Sequence, residues 1–284
     1  MNKVKIITDS GADLLPEDIQ RHDIDIIPIS VFVEGKEYLT GVDITSEEFY
    51  ELQEKCSEIP KTSLSNPERI YDTFKKYAEQ GRDIFMITIS SAGSGTYNSA
   101  RISADMVTEE FPKVKIRLLD SQKFACVYGY GAMQASEMSE EGMGVDEIFD
   151  RVKEMMDDFE VHCVPETLKY LEMGGRINKA SLVIGTVLDL KPVLAIRNGI
   201  MESIGMLRGS KKIAAKLVKK VKESGVSQEG KTLLVVDGHM HETANELVEL
   251  LKAEFNPKEV IVRPVGPTIA AHIGPVFGVF FHKS

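Results

Sequence analysis

Cysteine is scarce in this chain: only Cys56, Cys126 and Cys163 occur. No two have CxxC spacing, and an odd number argues against a disulfide framework. Cys126 and Cys163 lie in apolar stretches, where a thiol packs as a small hydrophobe. Cys56 ends an expected helix. No histidine motif accompanies any of the three, which argues against a catalytic thiol. Positive charge is also in short supply. Lys and Arg number 34 against 44 Asp and Glu, a formal net charge of -10. That balance disfavours nucleic acid and anionic membrane surfaces as main partners. No apolar run is long enough to span a bilayer, so no stable membrane insertion is expected. The opening MNKVKIITDS enters a strand pattern without the apolar segment of a secretory signal, so a cytoplasmic location is the expectation.

What is present is a chain able to bury a large core. Hydrophobic residues make up 43% of 284, and the length suits two domains or one large one. The first half alternates strand and helix patterns. Strands are expected at 4–8, 24–33, 83–89 and 114–119. Helices are expected from Pro16, from the Thr45/Glu48 capping box to about Cys56, and from Asn66-Pro67 to about Gln80. Further helices are expected at 99–111, 123–141 and 145–158. Such alternation predicts a mostly parallel sheet covered by helices on both faces. The second half differs. Helical patterns at 166–173 and 178–188 surround Gly174-Gly175. Runs 190–196 and 200–207 flank Asn198-Gly199, a hairpin signal. A basic helix (210–223), a strand (232–236), a helix (243–255) and strands 260–265 and 276–281 complete the chain. A mixed sheet with helices is expected there, so the fold class is α/β with two α/β domains, 1–160 and 161–284. A cleft between them is the default ligand site.

Several polar turns sit where parallel strands end, the edge at which open α/β sheets bind ligands. They are Thr8-Asp9-Ser10, Asp120-Ser121 and the run Ser90 to Ala100 (SSAGSGTYNSA). The last joins an apolar strand to a helix N-terminus, whose free N–H groups suit an anion. Glycines allow close backbone approach and hydroxyls add donors. No lysine follows the glycines, so this is not a Walker P-loop. A small oxyanion such as a carboxylate fits. Lys61-Thr62-Ser63 precedes a helix and is positioned to converge there. Gly174-Gly175-Arg176 offers a helix end followed by a planar cation suited to carboxylate or phosphate. Arg208, at a hairpin end, is a second cation. His272 stands between Gly266-Pro267 and Gly274-Pro275, in a rigid turn or short helix. A Ser94/His272 hydrolase pair lacks the G-x-S-x-G elbow, because Ala92 and Thr96 occupy the outer glycine positions. Asp237-Gly238-His239-Met240-His241 offers two imidazoles, yet no further ligand set of known spacing appears, and no metal is expected. The lysines of 210–223 surround one apolar stripe, Ile213, Ala214, Leu217, Val218 and Val221, and read as a solvated face that is also able to dock an acidic partner.

Together these motifs resemble the DegV family. The matching elements are Thr8-Asp9-Ser10, Lys61-Thr62-Ser63, Ser90–Ala100, Asp120-Ser121, Tyr170 to Ile177, Lys191-Pro192 and the Gly266-Pro267…His272…Gly274-Pro275 run, which cover the chain in order. The resemblance implies a long-chain fatty acid in a buried tunnel, its acyl chain in the first domain and its carboxyl group near the domain interface. It implies carboxylate binding by Thr62 and Ser94, with Gly95 and Thr96 of the same loop. It also implies a separate fatty acid kinase subunit that phosphorylates the bound carboxylate, with Arg176, Arg208 and His272 working beside it. No cofactor is implied, and the chain itself is expected not to be an enzyme. The alternatives are a stand-alone acyl hydrolase or transferase using Ser94, and a storage or sensing protein. Three departures from the family pattern bear on tunnel shape: Gly93 where leucine is common, Leu64-Ser65 after Thr62-Ser63, and Val276-Phe277 after the last Gly-Pro.

Overall fold

The computed structural model describes residues 4–178, 190–209 and 211–284. The helix expected at 178–188 falls, but for its first residue, outside the described residues. In chain order the strands are β1 (Lys5–Asp9), β2 (Ile24–Ile27), β3 (Ser30–Val33), β4 (Lys36–Leu39), β5 (Lys61–Thr62), β6 (Ile84–Thr88), β7 (Ile116–Asp120), β8 (Phe159–Pro165), β9 (Leu190–Arg197), β10 (Ile200–Arg208), β11 (Thr232–Gly238), β12 (Glu259–Pro264) and β13 (Val276–His282). The helices are α1 (Pro16–Arg21), α2 (Ser46–Lys55), α3 (Pro67–Ala78), α4 (Thr96–Glu110), α5 (Cys126–Glu140), α6 (Val145–Asp158), α7 (Lys169–Gly174), α8 (Ile213–Lys222), α9 (His241–Phe255) and α10 (Pro267–Ile273).

A parallel sheet of four strands, ordered β2-β1-β6-β7, forms the first unit. Successive side chains on a strand point to opposite faces, and both faces here are apolar. Ile84 and Met86 of β6 pack with Ile70, Phe74 and Ala104 of α3 and α4. Phe85 and Ile87 pack with Ala132, Val152 and Met156 of α5 and α6. The second unit is a six-stranded mixed sheet, β10-β9-β8-β13-β11-β12. Its outer face carries Val193, Leu233, Val235, Phe277 and Val279 against α8 and α9. The apolar stripe expected on the basic helix is buried there in full. Its inner face carries Val161, Cys163, Ile196, Val236, Val276 and Phe280, which belong to the same core as α5 and β6.

The segment 24–33 does not form one strand. Pro28 has no N–H to donate and interrupts it. β2 joins the parallel sheet, whereas β3 pairs antiparallel with β4 and β5 in a small third sheet. Strands β4 and β5 are short and had no sequence signal of their own. The expected hairpin is present. Asn198 and Gly199 take φ of 51° and 74°, the positive values that a two-residue type I′ turn requires.

A cavity between the two units as the candidate functional site

Between the C-terminal edge of the parallel sheet and the inner face of the mixed sheet lies a narrow cavity of about 70 Å³, lined by side chains of both. Its deep wall is Val161, Cys163, Ile196, Val236 and Phe280, all buried. Burial in this apolar wall pushes the Cys163 thiol up to about 12, so it stays protonated and packs as a hydrophobe. Fourteen of the 21 lining residues follow residue 160. Most of the cavity's lining therefore comes from the second unit. The mixed sheet turns a whole apolar face inward, because both of its faces are hydrophobic, and the parallel sheet contributes only its strand-end loops.

Four polar lining residues, Thr62, Ser94, Arg176 and His272, are half-buried and come from separate elements. Thr62, on β5, is held in register opposite Val31. Its Oγ1 lies 2.8 Å from Nε2 of His272 on α10. Burial, with the nearby Arg176 charge, pushes the His272 imidazole down to about 4, so it is neutral at pH 7. Its Nδ1 is buried with no hydrogen-bond partner among the described residues. Gly174 packs directly on this ring, since a Cβ there would stand 3.0 Å from Nδ1 and 3.3 Å from the His272 Cα. Arg176 follows the left-handed Gly175 (φ 71°) that ends α7. Its Nε donates to the Gly93 carbonyl at 3.1 Å and its Nη1 to the Gly174 carbonyl at 2.6 Å. Arg176 is thus joined to the Ser90–Ala100 loop, and His272 to Thr62.

The loop itself is braced from several sides. Ser90 Oγ donates to the Gly199 carbonyl at 2.6 Å, so the hairpin turn of the second unit closes on it. Asp120 accepts from the Ser91 and Gln122 amides at 3.0 and 3.1 Å. Asp9, fully buried, accepts from the Ile89 and Gly11 amides at 2.8 and 3.1 Å and from the Tyr128 hydroxyl at 2.7 Å. Asp9 and Asp120 therefore support the edge and do not line the cavity. Ser94 Oγ accepts from the Thr96 amide at 3.3 Å and lies 3.0 Å from Thr96 Oγ1. Thr96 is buried, and its hydroxyl also accepts from the Ser65 amide at 3.4 Å. Gly95, the residue before α4, faces Leu64. Neither Gly95 nor Thr96 is among the residues lining the cavity, and Thr96 holds Ser94 in position. Arg208 ends the edge strand β10, seven residues beyond the lining residue Met201, roughly 20 Å along an extended strand. The structure does not bring it to the four polar lining residues.

Two lining residues gave no functional signal in the sequence. Thr268, buried on α10, shares a 3.0 Å hydrogen bond with Thr40, which also bonds Ser10. Ala125 precedes α5 at φ 61° and ψ -158°, a region almost reserved for glycine and costing on the order of 1–3 kcal/mol. The residue beside it explains Gly93: a Cβ at 93 would lie 2.6 Å from the Phe124 ring. Phe124 fills the space that a side chain at 93 would take. Val276 lines the cavity while Phe277 points to α8 and α9.

One substitution tests the packing at the polar end. Gly174→Ala is expected to push the His272 ring off Thr62 and into water. The imidazole would then titrate nearer its ordinary value of about 6.5, read from its NMR ring signals, against about 4 in the parent. An unmoved titration would show that α7 yields instead of the ring.

A family model described as "uncharacterised protein, DegV family" matches residues 3–284. The chain belongs to the DegV family. A DegV domain-containing protein of Clostridium perfringens is 32% identical, with 95% of each chain covered. One from Caldanaerobacter subterraneus is 32% identical over the whole of both chains. Among solved structures, a fatty-acid-binding DegV family protein from Thermus thermophilus superposes with a TM-score of 0.89 at 27% identity, covering 99% of this chain and 100% of that one. A DegV lipid-binding protein from Thermotoga maritima gives 0.85 at 30% identity, covering 99% and 98%. A stearic-acid-binding protein from Eubacterium ventriosum gives 0.88 at 28% identity, with the same coverage. The DegV chain described here shares their α/β architecture, and no helix among its described residues is long and apolar enough to cross a membrane.

Proposed function

We propose that this DegV-family protein binds a long-chain fatty acid in the cavity between its two α/β domains, divided near residue 160, and presents the carboxylate to a separate kinase. The observation that carries this reading is the pairing of a deep apolar wall with four convergent polar side chains at the half-buried end. Each buried CH₂ contributes about 0.8 kcal/mol, so the tail supplies most of the affinity. The head is held by hydroxyls whose lone pairs are already engaged. With Nδ1 of His272 facing only Gly174, the Nε2–H tautomer avoids an orphaned buried donor. That N–H donates to Thr62 Oγ1, which leaves the Thr62 proton for the ligand. Ser94 Oγ likewise accepts from the Thr96 amide, which leaves the Ser94 proton for the ligand. Two O–H donors thus aim at one carboxylate, with the Arg176 guanidinium to offset its charge.

In the transfer step, a carboxylate oxygen attacks the γ-phosphorus of ATP and ADP leaves. Arg176 and the neutral His272 are placed beside the atoms that gain charge. Arg208 is assigned to the kinase-facing surface. The pairing of Ser94 with Thr96 and of His272 with Thr62 supports a binding subunit over a Ser94 hydrolase.

The test is extraction. Protein purified without lipid treatment is denatured, and the organic phase is analysed by mass spectrometry. About one long-chain fatty acid per chain is expected. With ATP, acyl phosphate is expected only when a fatty acid kinase is added. An empty protein that takes up no long-chain acid afterwards refutes the reading. Acyl phosphate made by the chain alone refutes the division of labour.

A further inference from the structure

Away from the cavity, α2 of the first unit meets the turn between β11 and α9 of the second. We propose that Glu47, His239 and His241 form a divalent-metal site there, best suited to zinc, that clips α2 to this turn. One carboxylate oxygen and one nitrogen from each imidazole lie within 4.8 Å of one another. Two histidines and a glutamate are a known zinc ligand set, with Zn–N and Zn–O near 2.0–2.2 Å and a further position for water. Ligand atoms on a tetrahedron of that size stand about 3.4 Å apart, so the three must close by roughly 1 Å. All three are exposed.

The surroundings are arranged as metal sites are. Asp237 Oδ2 lies 2.6 Å from Nδ1 of His241. A carboxylate holding one imidazole nitrogen fixes the ring and leaves Nε2 for the ion. Asp237 is itself held, because its other oxygen accepts from the Met240 amide at 3.0 Å. His239 takes φ of 61°, unusual for a side-chain-bearing residue. Its ring stacks on Tyr50 of α2, centroids 5.1 Å apart and planes 15° from parallel. Nδ1 of His239 stands 3.7 Å from the Glu47 carboxylate. The spacing of His239 and His241 alone matches no standard motif. The third ligand comes from a residue almost 200 positions earlier.

The full-length, tag-free protein is stripped with EDTA and titrated with zinc sulfate against a chromophoric chelator. One zinc per chain is expected, with zinc raising the melting temperature of the parent protein. His239→Ala, His241→Ala double replacement is expected to abolish both effects, and Glu47→Gln to weaken binding. Asp237→Asn, a positioning change, is expected to weaken it about 10–100-fold. X-ray absorption of the loaded protein should show two imidazoles and no sulfur. The exposed positions allow each variant to be checked for unchanged metal-free melting. Zinc uptake that survives the double histidine replacement overturns the site, as does a sulfur shell from Cys56. Half a zinc per chain with zinc-dependent dimerisation overturns the clip in favour of a bridge between copies. No uptake by the parent at about 100 μM zinc overturns it outright.

Discussion

A chain carrying Thr62→Ala and Ser94→Ala together is expected to bind a long-chain fatty acid at least about 100-fold more weakly than the parent, and to stay folded. Hydrogen bonds to a charged group contribute about 1.5–3 kcal/mol each, and a factor of ten corresponds to about 1.4 kcal/mol. Each single variant should therefore lose roughly tenfold or more. Both hydroxyls are half-buried at the cavity's rim, so removing them opens no large core void. A fluorescent fatty-acid displacement assay reads the affinity, and circular dichroism reads the fold. Unchanged affinity in the double variant would remove both residues from the carboxyl site.

Asp9→Ala is expected to be the most damaging single change to stability. Its carboxylate serves two backbone amides and the Tyr128 hydroxyl in full burial. Each stranded donor costs about 1–3 kcal/mol, a total on the order of 5 kcal/mol. Burial, only partly opposed by those hydrogen bonds, pushes the Asp9 carboxyl up to about 6. A carboxyl whose folded value is raised binds its proton better when folded, so the parent gains stability as pH falls from above 6 towards the ordinary value near 3.9. The variant lacks that gain. Its deficit is expected to be widest near pH 4 and to shrink by about 3 kcal/mol by pH 8. Denaturant midpoints of both proteins across that range check the slope. A deficit that grows with pH would contradict the assignment.

The elements were legible where a strong period and a cap coincided. The Thr45/Glu48 box, Asn66-Pro67 and Asn198-Gly199 each mark a boundary that the structure keeps. Thr62, Ser94, Arg176 and His272 were legible as polar residues at turns. Which way a hydroxyl points was not. Ser94 and Thr96 are two residues apart in one loop, yet one lines the cavity and the other is sealed against Ser65. Arg208 looked equivalent to Arg176 because each ends an element. Only the register of β10 shows that it sits at the far end of an edge strand. Pro28 was visible, but its power to send β3 into a different sheet depends on partners at 36–39 and 61–62. The cavity's deep wall was hidden for a related reason. A strand with two apolar faces does not announce which face meets a helix and which meets empty space.

The hydroxyl of Ser90 closing on the Gly199 carbonyl has a consequence for time as well as for place. The bond ties the loop of one unit to the turn of the other. A molecule held between the two units would be enclosed more firmly while this tie is made, and Ser90→Ala is expected to shorten its residence.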